Sequence, residues 1–259
     1  MDYADYLRLD RLLDAQEPLS AAPDEPMFIV SHQVSELWMK LLLKELGDAR
    51  TGISEDRLGF AFRALTRASR IMEQMIQMWG VLSTMTPADY LAFRDALGTS
   101  SGFQSLQYRL IEFLLGARDP AMLAAHRNRP ASVARLEAAL ARRSIYGETL
   151  ALLARRGFAV PASAPDAALA CHPQPDAAVE RAWAAVYADT ATHWDLYDLA
   201  EKLVDIEHKV QLWRFVHLKT VERIIGHRKG TGGTAGVSYL EVAVKRGFFP
   251  ELLAVRTAL

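Results

Sequence analysis

Cysteine is nearly missing from this chain: Cys171 is the only one in 259 residues. A single thiol forms no internal disulfide and excludes paired Cys-x-x-Cys metal or redox sites. That scarcity fits a reducing compartment. An excess of charge of either sign is missing too, because 30 Lys and Arg stand against 31 Asp and Glu, a formal net charge of -1. The pairs Arg142–Arg143 and Arg155–Arg156 are too sparse for a basic footprint, so no nucleic-acid partner is expected. No apolar run approaches the roughly 20 residues that cross a bilayer, and Asp2 and Asp5 stand where a targeting peptide carries bases. We therefore expect a cytoplasmic protein with no membrane partner.

Alternation of polar and β-branched residues, the signature of strands, is almost absent, whereas apolar residues recur at three- and four-residue spacing. The expected class is all-α. With 51% hydrophobic and 24% charged residues, the chain buries a core without help from disulfides or a structural metal. One large helical domain over 1–259 is expected, comprising an N-terminal arm at 1–27 and a helical core at 28–259. Residues 18–26, rich in Ala, Asp and Pro, read as a loop before a helix over 28–46 that Gly47 would stop. A second helix is expected over 55–82. Thr86-Pro87 reads as an N-cap with proline at the first helical position, opening a short helix that carries Tyr90 and Arg94. Further helices are expected over 103–115, 131–156 and, longest of all, 192–225. The stretch 117–176 carries no interpretable constellation.

Residues able to do chemistry are few. His217 shares a stripe with Leu203, Ile206, Val210, Trp213, Val221 and Ile224. A neutral imidazole there is ordinarily a hydrogen-bonded core residue, but it can also offer one nitrogen to a metal. His32, one turn before Glu36, raises the same pair of readings. None of the seven histidines follows a glutamate by three residues and His-Glu-x-x-His is missing, which argues against carboxylate-bridged di-iron and zinc protease sites. A haem with one axial histidine needs only a single ligand in an apolar cleft between helices. Residues 226–236 hold five glycines. They follow a helix, not a strand, so the loop is not a dinucleotide fingerprint and reads equally as a substrate gate or a solvent loop. Arg94, four residues after Tyr90, is suited to grip a carboxylate, although a surface arginine looks the same.

Three segments change this reading when taken together: FIVSHQVSELWMK at 28–40, SGFQSLQYR at 101–109, and WRFVH at 213–217 with GTGG at 230–233. In this order and spacing the chain resembles the tryptophan 2,3-dioxygenase family of bacterial type, from Tyr3 to Tyr239, with 117–176 contributing little. The resemblance implies an all-α domain with a haem cleft between helices, and a haem b whose iron is held by His217. It also implies O2 as co-substrate on the opposite side beneath His32, and cleavage of the indole C2–C3 bond of L-tryptophan to N-formyl-L-kynurenine, the first step of the kynurenine route. His32 would meet the indole N–H, and Phe28 and Leu97 would pack on the ring. Arg94 and Tyr90 would take the carboxylate, Thr231 the ammonium, and Trp79 and Ser101 would stand near the haem. Tyr3 and Tyr6 would reach a neighbouring subunit's site in a homotetramer, a dimer of dimers. A haem-binding sensor and a cofactor-free scaffold are the rival readings, and an indoleamine-type dioxygenase, which shares the chemistry, is a variant of the dioxygenase reading.

Overall fold

The computed structural model describes residues 1–161, 173–233 and 236–258. Cys171 lies outside the described residues, as does part of the silent 117–176 stretch. The described residues are helical and contain no strand, as the spacing predicts. In chain order the helices are α1 (Tyr3–Leu7), α2 (Leu9–Leu12), α3 (Glu25–Ser54), α4 (Leu58–Leu82), α5 (Pro87–Phe93), α6 (Leu106–Leu115), α7 (Pro130–Leu140), α8 (Ile145–Arg155), α9 (Ala177–Ala188), α10 (Trp194–Ile225), α11 (Val237–Val244) and α12 (Pro250–Ala254). Among the described residues, no helix is long and apolar enough to cross a membrane.

Two long helices and the one between them make the frame. α4 lies between α3 and α10, while α6 and α8 pack on α3. The stripe Met39, Leu42, Leu46, Ala49 and Ile53 on α3 meets Ala61, Leu65, Ala68, Met72 and Met75 on α4, all buried. Small residues bring the two backbones close: a Cβ on Gly52 would stand 2.9 Å from the Ala61 nitrogen. The face of α10 carrying Leu199, Leu203, Ile206, Val210 and Trp213 completes the core. At roughly 1.5–3 kcal/mol for each large side chain buried, these stripes outweigh the weak preferences of single helix positions.

That balance explains the first correction. α3 does not stop at Gly47 but runs on to Ser54, because Ala49, Gly52 and Ile53 extend its buried stripe, and one mid-helix glycine costs only about 1 kcal/mol. The helix also begins earlier than expected, at Glu25, which draws Pro26 into its first turn. A second correction concerns 131–156, where two helices stand in place of one. Ser144 breaks the run by accepting the Gly147 backbone N–H and capping α8. The turn before α6 is likewise shorter in α-helix than expected: a 3-10 turn, Gly102–Gln104, precedes the cap at Ser105. Thr86 does cap α5, in a reciprocal box with Asp89, but the helix ends at Phe93 and Arg94 opens a 3-10 turn, Arg94–Leu97.

Candidate active site

A cavity of about 250 Å³ opens between α3, α4, α6, α10 and the segment that precedes and includes α11. Each wall contributes what its local sequence can present. His32 and Phe28 are one turn apart on α3, so both face inward, and their rings lie 4.2 Å apart. His217 comes from α10 and lines the same cavity. Trp79 from α4 lies nearly flat against it, with centroids 4.6 Å apart and planes 14° apart. Trp213, one turn before His217, packs at 5.6 Å. The apolar stripe with one imidazole expected from the sequence is thus a real surface, and it faces the cavity.

The two histidines are chemically distinct. His32 Nδ1 lies 2.7 Å from the Phe28 carbonyl oxygen, which only accepts, so Nδ1 carries the proton and Nε2 is left as an acceptor. Burial lowers the His32 pKa, while the Phe28 carbonyl and the Glu36 carboxylate oppose the shift. His217 makes no hydrogen bond with the described residues, and burial, then the proximity of His32, brings its pKa down to about 4. It is neutral at physiological pH, with a lone pair to offer. Among the described residues no three His, Cys, Asp or Glu side chains converge on a common point, so His217 would act as a lone protein ligand. A lone imidazole suits a metal whose other ligands arrive with it, as in a haem. The surroundings fit such a flat group: Trp79, Trp213, Val221 and Ile225 are apolar, and the indole Nε1 atoms of both tryptophans are buried without partners.

The polar groups expected to meet a zwitterion, Tyr90, Arg94 and Thr231, differ in how they stand to the cavity. Tyr90 lines the cavity, and burial raises its pKa while neighbouring Arg94 opposes this. Arg94 does not itself line the cavity; its Nη2 donates to the Lys229 carbonyl at 2.9 Å, and its Nε is buried without a partner. The arginine therefore tethers the start of the glycine segment beside Tyr90. Thr231 donates its hydroxyl to the Ser100 carbonyl. Gly232 passes so near Ser101 that a Cβ would stand 2.6 Å from the serine Cβ. The loop is thus docked on the turn 100–105, with Ser101, Gly230 and Thr231 all lining the cavity.

Not every expected residue reaches the cavity. Leu97 packs against the core without lining it. Tyr3 and Tyr6, on α1, are 75% and 73% exposed and do not line this cavity. Conversely, several lining residues were given no role of their own in the sequence. Glu36 accepts Ser105 Oγ at 2.6 Å and Gln107 Nε2 at 2.7 Å, tying α3 to the start of α6. Tyr108, Arg109, Glu112 and Arg214 form a buried polar floor. The spacing of Arg109 and Glu112, and of Arg214 and His217, at i and i+3 was the available signal.

Comparison with known proteins places these residues among relatives. The family model for Tryptophan 2,3-dioxygenase matches residues 1–134 and 142–259. A tryptophan 2,3-dioxygenase of Erythrobacter litoralis (strain HTCC2594) is 56% identical over 99% of this chain and 98% of its own length. Those of Polaromonas sp. (strain JS666 / ATCC BAA-500) and Bradyrhizobium sp. (strain BTAi1 / ATCC BAA-1182) are each 54% identical over 100% of this chain, covering 88% and 93% of their own lengths.

Proposed function

The chain belongs to the tryptophan 2,3-dioxygenase family, and from that premise we propose that it cleaves the C2–C3 bond of L-tryptophan with O2 on a haem b held by His217, giving N-formyl-L-kynurenine as the first step of the kynurenine route. One observation carries this reading: two neutral imidazoles share one largely apolar cavity, one with its acceptor nitrogen fixed and the other without a hydrogen-bond partner among the described residues. Haem iron, once bound, supplies the activation of O2 that ring cleavage needs.

The protein's own part is binding, orientation and exclusion of water. His32 Nε2 accepts the indole N–H, a role for which the bond from Nδ1 to the Phe28 carbonyl prepares it. Phe28 and Leu97 pack on the indole, Phe28 from the cavity wall and Leu97, packed against the core beyond the lining residues, on closure around the substrate. Burying a zwitterion unpaired costs several kcal/mol, so both its charges need partners. Arg94 and Tyr90 take the carboxylate, and Thr231 Oγ1 accepts from the ammonium while its own O–H stays on the Ser100 carbonyl. Trp79 and Ser101 stand on the haem side. Tyr3 and Tyr6, exposed in a single chain, complete a neighbour's site in a homotetramer built as a dimer of dimers. The scarcity of cysteine supports a cytoplasmic setting.

The test is a spectrum and one substitution. Purified protein supplied with haem should show a Soret band that responds to L-tryptophan and should consume the amino acid when reduced and then aerated. His217→Ala should lose both haem retention and ring cleavage while keeping its helical circular dichroism. Retention of haem and turnover by that variant would overturn the proposal.

A further inference from the structure

The floor of the cavity holds an ion cluster that neither binding nor ring cleavage calls on. Arg214, one turn before His217 on α10, is 3% exposed. Its Nε donates to the Tyr108 hydroxyl at 2.9 Å, its Nη1 to the Ala243 and Arg246 carbonyls at 3.0 and 2.8 Å, and its Nη2 to Glu112 at 2.9 Å. All three nitrogens are therefore committed, to acceptors on α6, on α11 and just beyond it. The other oxygen of Glu112 accepts from Arg109, itself buried and facing Tyr239 of α11. Tyr108 in turn packs on Trp213 at 5.2 Å, and Trp213 packs on His217 at 5.6 Å.

Stability alone is a weak reason for such a cluster, since well-packed apolar residues commonly replace buried ion pairs at no loss. Its geometry suggests a directional role. A guanidinium is a rigid planar fork, so fixing it at four acceptors fixes the roll of the helical turn that bears it. That turn also carries His217. The second route, through Tyr108 and Trp213, bears on the imidazole ring itself.

We propose that Arg214, braced by Glu112 and Tyr108, is a positioning residue that sets the orientation of the His217 imidazole toward the haem iron and ties that orientation to α11. The proposal rests on the haem reading above. Groups that orient a metal-bound histidine through its surroundings typically change metal affinity by about 10–100-fold when altered.

Arg214→Lys keeps the charge but cannot hold four acceptors in one plane. The haem-loaded ferrous protein should show a shifted and broadened iron–imidazole stretch by resonance Raman, with haem affinity about 10–100-fold weaker. Tyr108→Phe, which removes one acceptor, should move the band in the same direction by less. Leu152→Ala, which truncates a fully buried side chain on α8, a helix that contributes nothing to the cavity lining or to the Arg214 hydrogen bonds, should lower Tm without moving the band. An unmoved band in Arg214→Lys, or an equal shift in Leu152→Ala, overturns the proposal. Should Arg214→Lys fail to fold, Tyr108→Phe decides by the same criterion. A wild-type protein with no Soret band overturns the haem reading and this inference with it, whereas a normal Soret band with an unmoved stretch overturns this inference alone.

Discussion

Gly232→Ala adds one methyl group at the point where the glycine segment meets the turn 100–105. The new Cβ would lie 2.6 Å from Ser101 Cβ and 2.8 Å from Ser101 Oγ, distances that real Cβ atoms do not tolerate. Gly232 is not among the glycines with positive φ, so the backbone accepts alanine and the penalty is steric alone. Ser101 has little freedom to yield, because its hydroxyl accepts the Phe103 N–H at the start of a 3-10 turn. Overpacking of this kind costs about 1–3 kcal/mol. Here the cost falls on the docked state of the loop, since an undocked loop carries the methyl in solvent. At 1.4 kcal/mol per factor of ten, docking weakens by roughly 5- to 150-fold.

Thr231 precedes Gly232 and is proposed to meet the substrate ammonium, so the loss should appear in kcat/KM for L-tryptophan. Tm should change little. Steady-state kinetics on the haem-loaded protein measure the effect, and a second substitution tests its cause. Ser101→Gly in the Gly232→Ala background removes both clashing atoms and should restore most of the loss, whereas Ser101→Ala keeps the Cβ and should not. Unchanged kcat/KM in Gly232→Ala, or equal recovery in the two double variants, would refute the steric reasoning.

The other predictions are briefer. Arg94→Ala removes both the carboxylate partner and the tether to the Lys229 carbonyl, and at about 1.5–3 kcal/mol for a charged hydrogen bond kcat/KM should fall about 10- to 150-fold, an unchanged value excluding the role. Burial lowers the His32 pKa, so its neutral, accepting form persists as pH falls through the ordinary histidine value of about 6.5. Activity should be lost only below that value, and an acid limb of kcat/KM against pH at or above 6.5 would contradict the assignment of His32 as a neutral acceptor. Two glycines of α3 should respond oppositely to alanine, as thermal or urea unfolding will show. Gly47 has nothing within 4 Å of an added Cβ and should gain about 1 kcal/mol, while Gly52, pressed on Ala61, should lose about 1–3 kcal/mol.

Legibility in the sequence followed the kind of physics each feature depends on. The helices with long apolar stripes, α4 and α10, were readable because burial periodicity is written in the residues themselves. α3 was readable in place but not in length, since whether a helix survives Gly47 depends on what the next two turns bury, a tertiary fact. The break at Ser144 shows the converse, a local cap cutting through a run of good helix formers. Within the site, composition and spacing alone left His32, His217 and Arg94 each with an ordinary reading, and the family resemblance raised them above it.

What no single residue revealed is convergence. Arg214 on α10, Glu112 and Tyr108 on α6, and the Ala243 and Arg246 carbonyls at and beyond the end of α11 lie 29 to 106 positions from Arg214 along the chain. Their grouping becomes visible only when α6 and α11 are seen against α10. An imidazole ligand needs a particular orientation more than it needs any particular sequence neighbour, and orientation is supplied here by residues remote in sequence and adjacent in space. Ligand residues are therefore the part of such a site that sequence exposes first, and the groups that aim them the part it exposes last.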